Sequence, residues 1–516
     1  MQKVDLTLSK KDKFVLLSIL TLNIFFRLPS LTNSTGVYIF IDEKLYLDEA
    51  MYLIQNKSMI LGFFKSGQLN IFPTALFFNL LEYLIEIEIS NQFVVIFSRI
   101  FFNIFANSIV YVFIIKIDKL LSFYLFKKAS NGITLSLFFF LNPYLFSNSR
   151  IWYANSYLYL ATIATFYYIL KIYFEDINKR DVFKLFLSIA VGVSIKYNFI
   201  FILSLVFFTY LTKLISNKKL YLFELIFGFT LFVFFIALFN YSVFFNFESF
   251  VNDITFNSKN YEGSIFFNRY LNTAEKDFLL RILYHFLFLY FVPITVAGIF
   301  FYIYSMFIYL KLKKYLLLNL FFLAPFIYVV FISSFPKMFM NRNINFLIPI
   351  IIISTYVGYE FFRYSISIKK LFAVFYFLIF ISIFYDDLQP DSRIQSQNWI
   401  EENLTSESLT VGYNQGYTET SAMVLGNVVD DRNLEQELDI YVIDDYWANG
   451  YVDAKSRQNI LFVLNHKNSH YYYDSNYSFF SRNIQNKTKK FNLVNYELLK
   501  QFSSNGPNIY ILKKIK

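Results

Sequence analysis

In the stretch KLYLDEAMYLIQ, residues 44–55, two adjacent carboxylates, Asp48 and Glu49, stand among Leu, Tyr, Met and Ile. A carboxylate so placed can take a proton from a hydroxyl or an amine. Isolated cations recur at Arg27, Lys65, Arg150, Lys196 and Arg342, and each can stabilise charge building on a phosphate. Asn155 and Tyr197, close in sequence to Arg150 and Lys196, add hydrogen-bonding groups for an acceptor or a sugar. Base and cations together suit a displacement in which an acceptor loses a proton while a phosphate departs. Structural alternatives stand beside each residue. The acidic pair can be the solvated face of an interfacial helix, and Arg27 can snorkel from a helix end to the headgroups. Adjacent helical residues point about 100° apart, so Asp48 and Glu49 cannot share one task.

The elements that position these residues must be built in lipid. The 516 residues are 56% hydrophobic and 22% aromatic but only 16% charged. A soluble chain would be near 25% charged, and a greasy soluble bundle would still show polar helix faces. The chain has no cysteine, which excludes disulfides and thiolate–metal chemistry. The net charge of +10 is gathered in short clusters between apolar runs, a topology signal and not a nucleic-acid footprint.

Apolar periodicity predicts an all-α polytopic membrane protein with about eleven spans, roughly 14–31, 93–115, 132–149, 157–174, 183–195, 199–215, 220–240, 282–310, 316–334, 345–362 and 371–385. Basic clusters fill every second connection, for example Lys10, Lys11 and Lys13, then Lys116, Lys119, Lys127 and Lys128, then Lys311, Lys313 and Lys314. The positive-inside rule then sets the amino terminus in the cytoplasm and everything after about residue 386 outside. The segment NIFPTALFFNLLEYLIEIEI, with Glu82, Glu86 and Glu88, is expected as an interfacial helix and not a span. Residues 1–385 therefore form the membrane domain, with outer juxtamembrane helices at about 46–60 and 70–89. Residues 386–516 are expected as a small extracytoplasmic α/β domain, with a helix at SQNWIEENL and strands at LTVGYN, DIYVIDD, NILFVLN and NIYILKK. The first helix has no small-x-small cleavage site after it and is expected to remain as an anchor.

With this topology each of the candidate residues Arg27, Asp48, Glu49, Lys65, Arg150, Asn155, Lys196, Tyr197 and Arg342 falls at the outer membrane–water boundary. Carboxylates lead in the first outer connection (Asp42, Glu43, Asp48, Glu49), with Lys65; Asp42 and Glu43 are expected as loop charges. Arg150 and Asn155 lie in the second, Lys196 and Tyr197 at the third, Glu248, Asp253, Glu262, Arg269, Glu275, Asp277 and Arg281 in the fourth, and Lys337 and Arg342 in the fifth. Lys196 is a cation on the outer side, against the charge bias. His285 is as readily a satisfied polar residue as a site member, and HYYYDSNYSFF as readily a Tyr-rich strand or loop as a sugar-stacking surface. Transfer of a sugar from a polyprenyl phosphate needs this arrangement, because the donor's lipid tail stays in the bilayer while its phosphate meets water.

Several short segments resemble the membrane glycosyltransferases of the C-type fold, in particular the protein mannosyltransferase and aminoarabinose transferase group. FFRLPSL resembles that family's arginine at the outer end of the first helix, and YLDEAMYL its acidic pair on the first juxtamembrane helix. FPTALFFNLL is similar to its proline-led second juxtamembrane helix, and SRIFFNIFANSIVYVF to its second span. GVSIKYNFIFIL is similar to its lysine–aromatic signature, and RNINFLIPII to its late arginine before a span. The match covers roughly residues 14–365. The resemblance implies a C-type fold, a base at Asp48, a polyprenyl-phosphate-linked sugar donor and a carboxy-terminal outer domain of variable role. One departure is clear: no Asp or Glu occurs between Asp118 and Glu175, and Asn155 stands where relatives often carry an acid.

The expected function is therefore a hexosyl- or pentosyltransferase of the cell membrane, transferring with inversion to a glycan, lipid or protein acceptor. Asp48 is expected to be the base, with Glu49 holding the helix or the phosphate-binding cations. No metal or other cofactor is expected, since the second and fifth outer connections carry no carboxylate to share an ion. Two alternatives remain open: a lipid-linked oligosaccharide polymerase or ligase, a class that relies on arginines and a His in a large outer loop and that the long 241–281 connection keeps possible, and a non-enzymatic flippase or transporter. A transporter should bury charge at mid-membrane and show inverted repeats, neither of which this sequence displays.

Overall fold

The computed structural model describes residues 4–32, 41–62, 64, 67–85, 89–130, 132–142, 145–146, 152, 154–217, 221–253, 278–334, 345–362, 366–388, 392–404, 409–413, 428–430, 438–444, 496–502 and 509–515. The chain divides into two compact units, residues 1–27 with 46–378, and residues 28–45 with 379–516.

The first unit is helical. In chain order its helices are α1 (Lys10–Thr32), α2 (Ile41–Gln55), α3 (Phe72–Ile85), α4 (Asn91–Phe126), α5 (Ile133–Phe140), α6 (Ala154–Phe174), α7 (Lys179–Ile195), α8 (Leu203–Asn217), α9 (Leu222–Phe239), α10 (Phe278–Lys311), α11 (Tyr315–Ser333), α12 (Ile348–Phe361) and α13 (Ile366–Leu388); α1, α2 and α13 run on into residues of the second unit. A helix therefore occupies each of the eleven expected spans. Among the described residues, four stretches are long and apolar enough to cross a membrane: Asn91–Phe126, Tyr197–Ile215, Leu222–Phe239 and Tyr315–Ser333. The chain is an integral membrane protein.

Three expectations need correction. Helix α4 does not end near residue 115 but runs 36 residues, with π-helical turns at Ile100–Ala106 and Ser122–Phe126. At 1.5 Å per residue it is about 54 Å long, more than the ~30 Å of hydrocarbon requires, so Lys116 and Lys119 ride on the helix and not in a connection. Helix α5 stops at Phe140, well short of 149. Pro143 explains this: a proline disfavours helical backbone in the residue before it. Asn142 takes up the break, its side-chain Nδ2 donating to Tyr376 Oη at 2.6 Å and its side-chain Oδ1 accepting from Leu145 N–H. Finally, Glu43 is not a loop charge; it lies within α2 and is buried.

The bundle core is packed through close helix pairs. Helices α4, α6, α7 and α9 pack in succession, and α10 lies along α12. Gly358 makes the last pairing possible: a Cβ there would fall 1.8 Å from the Phe301 carbonyl oxygen. Helix α9 faces outward with Phe229, Val233, Phe234 and Leu238 exposed, as suits lipid contact. In α3, Leu80, Tyr83, Leu84 and Ile85 are likewise exposed.

The second unit carries α14 (Ser392–Asn403) and a five-stranded sheet of β1 (Val411–Tyr413), β2 (Val428–Asp430), β3 (Ile440–Asp444), β4 (Tyr496–Phe502) and β5 (Ile509–Lys514). The order is β2-β1-β3-β5-β4, with β2, β1 and β3 parallel and the last two pairings antiparallel. Ile400 and Leu404 pack with Val411, Ile440, Val442, Ile509 and Ile511 into one small core. The strand expected at NILFVLN and the segment HYYYDSNYSFF lie outside the described residues.

Candidate functional site

The site is built around the connection between α2 and α3. Residues 59–62, 64 and 67–70 belong to a strap that is held at many points by segments distant in sequence. Tyr241 Oη donates to the Met59 carbonyl. Leu61 N–H donates to Ser242 Oγ at 3.2 Å, and Asn246 Nδ2 donates to the Leu61 carbonyl at 2.9 Å. Phe64 N–H donates to Asp253 Oδ2 at 2.8 Å, and the Phe250 ring stands edge-on to both Phe64 and Tyr197, at 5.7 and 6.1 Å. At its far end Gly67 N–H and Asn70 Nδ2 both donate to the Ile195 carbonyl, at 3.1 and 2.7 Å. Trp152, fully buried, donates from Nε1 to the Asn70 carbonyl at 2.9 Å and packs against Tyr46.

These contacts draw together residues of the four connections expected as the first, second, third and fourth outer ones. Gly67 is required by the fit. A Cβ there would lie 1.9 Å from the Ser194 carbonyl oxygen and 2.2 Å from its carbon, and backbone cannot yield cheaply. Gly67→Ala is therefore expected to cost about 1–3 kcal/mol, as overpacking does. Thermal unfolding of the purified protein should register the loss; an unchanged midpoint would mean that the strap does not dock on α7.

The strap separates the roles of the acidic pair. Glu49, half-buried, accepts the Gly62 N–H through Oε1 at 2.7 Å. Asp48 is exposed on the next position of α2, and among the described residues its carboxylate has no hydrogen-bond or ion-pair partner. Lys196 ends α7: its backbone is extended (φ −151°, ψ 118°), its N–H still donates to the Gly192 carbonyl, and its side chain is half-buried. It directly follows Ile195, the residue on which the strap is pinned. Tyr197 opens the next helical turn, and its hydroxyl is buried without a hydrogen-bond partner among the described residues, within electrostatic range of Asp253.

Arg27 is set inside α1, 3% exposed, donating to Asn23 Oδ1 at 3.1 Å and lying 5.2 Å above the Phe146 ring. Asn155 lies in the first turn of α6. Lys65, Arg150 and Arg342 lie outside the described residues. Among the described residues no group of three His, Asp or Glu is placed to hold a metal ion.

The sequence reading gave no role to Gln68, Asn70, Trp152, Ser194, Asn240, Ser242 or Asn246. All belong to the strap and its supports; Asn240 Nδ2 donates to Ser194 Oγ at 2.7 Å, which steadies the end of α7. Their signal was polarity in apolar surroundings: SGQLN precedes a proline-led helix and NYSVFFNFE follows α9. Gln68 and Asn70 are almost wholly buried, a setting that polar side chains occupy for a structural or binding reason.

No family model matches the chain. No curated protein matches it. Among solved structures it is similar to ArnT from Cupriavidus metallidurans bound to undecaprenyl phosphate, at 11% identity over 84% of this chain and 93% of that one, with a TM-score of 0.42. ArnT in the apo state gives 10% identity over 85% and 94%, with a TM-score of 0.41. The oligosaccharyltransferase of Archaeoglobus fulgidus, in complex with zinc and sulfate, gives 12% identity over 85% of this chain and 68% of that one, with a TM-score of 0.47.

Proposed function

We propose that this chain is a membrane glycosyltransferase of the C-type group, moving a sugar from a polyprenyl-phosphate donor to an acceptor hydroxyl or amine at the outer membrane face. The observation that carries the proposal is the division of the acidic pair. Glu49 spends its carboxylate on the strap, while Asp48, beside it, is exposed and without a partner among the described residues. A carboxylate left open to water at the junction of four outer connections is available to a bound acceptor.

In this reading Asp48 accepts the acceptor's proton as the new bond forms at the anomeric carbon, and the phosphate leaves with the old bond's electrons. Lys196, with Arg27, Lys65, Arg150 and Arg342, supplies positive charge for the phosphate; Tyr197 and Asn155 contact sugar or acceptor. A phosphate so held needs no general acid, and one base gives a single displacement with inversion. The membrane domain comprises residues 1–385, and residues 386–516 form an outer domain. A reporter active only in the cytoplasm, fused after Lys516, should accordingly be silent; an active fusion would place the site on the wrong side.

The experiment that tests the function is transfer by purified full-length protein from a panel of radiolabelled polyprenyl-phosphate sugars. Label should pass to a glycan, lipid or protein acceptor one sugar at a time, whereas growing polymer would indicate the polymerase reading and no transfer at all a transporter. The reaction is proposed to run without a metal ion, since the second and fifth outer connections carry no carboxylate. Activity should survive a chelator; loss in chelator with recovery in magnesium or manganese would refute that part.

A further inference from the structure

The other end of the same helices carries chemistry that sugar transfer does not use. From Lys196 back to Lys184 along α7 is about 18 Å at 1.5 Å per residue, and from Ala154 to Lys171 along α6 about 25 Å. Here four lysines from three helices converge: Lys116 and Lys119 of α4, Lys171 of α6 and Lys184 of α7, with Lys116 in electrostatic range of the other three. Two of them are matched by acids, Lys119 by Asp12 at 2.7 Å and Lys171 by Asp181 at 2.8 Å. Lys116 and Lys184 have no hydrogen-bond or carboxylate partner among the described residues. The other acids near these lysines are engaged elsewhere: Asp118 accepts from Tyr356, Ser130 and Gly132, Asp5 acts on Lys119, and Glu175 and Asp176 act on Lys213 and Tyr124, Glu175 also on Tyr167.

Lys116 is thus a half-buried cation, and the charges that act on it are those of Lys184, Lys171 and Lys119. Its ammonium sits 6.0 and 5.8 Å over the rings of Phe113 and Tyr167, which helps a cation but supplies no anion to match Lys116 and Lys184, the two lysines without an acid. Repulsion of this kind grows where the medium is less polar than water, and an anion entering between the lysines would relieve it. The surroundings indicate which anion. Phe183, next to Lys184, is 37% exposed, and Phe223, 63% exposed, lies 5.1 Å beneath the Lys179 ammonium. Cations interleaved with exposed aromatic rings belong at the level where lipid headgroups meet acyl chains. A free phosphate has no use for those rings; a phospholipid has.

We propose that Lys116 and Lys184, backed by Lys119 and Lys171, bind the phosphate of an anionic phospholipid at the membrane face opposite the acidic pair. The site stands apart from the proposed transfer reaction and does not rest on it. In detergent, the full-length protein should gain thermal stability saturably with dioleoyl phosphatidylglycerol, and not with dioleoyl phosphatidylcholine or with inorganic phosphate at equal ionic strength. A Lys116→Gln/Lys184→Gln variant should need on the order of tenfold more phosphatidylglycerol for the same shift, from a loss of about 1 kcal/mol or less per lysine. A Lys116→Arg/Lys184→Arg variant should keep the wild-type response. Added sodium chloride should weaken the lipid effect on wild type, a readout independent of any variant's folding. Equal protection by phosphatidylcholine or inorganic phosphate, an unchanged response in the Gln variant, or indifference to salt would each overturn the assignment.

Discussion

Asp48→Asn is expected to lower sugar transfer by about 10²–10⁴-fold, the usual contribution of a positioned base. The substitution keeps size and hydrogen-bonding shape while removing the capacity to take a proton. Since Asp48 is exposed and holds nothing among the described residues, the variant should fold, express and bind a polyprenyl-phosphate donor as wild type does. Glu49→Gln should be the milder change, for a structural reason: the amide oxygen of Gln can still accept the Gly62 N–H that Glu49 Oε1 accepts at 2.7 Å. Glu49→Ala removes that acceptor and should loosen the strap. A single-turnover assay on membranes of equal protein content separates these outcomes. Near-normal turnover in Asp48→Asn beside a dead Glu49→Gln would reverse the assignment within the pair; activity in both would move the base elsewhere.

Lys196→Ala should reduce turnover by on the order of 10²-fold or more, as expected when a group that stabilises transition-state charge is lost. The position makes the test clean. The backbone of Lys196 ends α7 through its own N–H bond to Gly192, a bond that alanine retains. The strap is pinned to the Ile195 carbonyl, which alanine also leaves in place. A fall in turnover with unchanged thermal stability would therefore report on charge. Lys196→Arg should recover part of the activity, since a cation remains although its shape differs. Normal turnover in folded Lys196→Ala protein would make Lys196 a membrane anchor.

The helices were legible because lipid imposes length and apolarity on each span, and basic clusters punctuate them. What escaped was decided by contacts distant in sequence. The extension of α4 through Lys116 and Lys119 depends on Asp12, Asp118 and the facing helices: the Asp118 carboxylate accepts from Tyr356 Oη, Ser130 Oγ and Gly132 N–H, which lets the helix run on past the apolar stretch. Strand β4, YELLKQF, is made of residues that favour helix; its pairing with β5, across an irregularity at Leu498–Lys500, overrides that preference. At the site, the acidic pair was visible as charge in apolar company. Its division was not, because nothing local to residues 44–55 announces that Gly62 will return to Glu49. Asp253 likewise looked like any loop acid until Phe64 was found bonded to it.

The strap also sets a timetable. Its bonds join residues 181, 185 and 189 positions apart in the chain. At roughly 5–20 residues per second of synthesis, the partners of Leu61 and Phe64 follow them from the ribosome by on the order of 10–40 seconds. During that interval the segment beside Asp48 has Glu49, already made, and later Trp152 and Ile195 to hold it. The bonds that join it to the segment after α9 cannot form until Ser242, Asn246 and Asp253 have been delivered. A nascent chain stalled before α9 would carry the proposed base without those bonds.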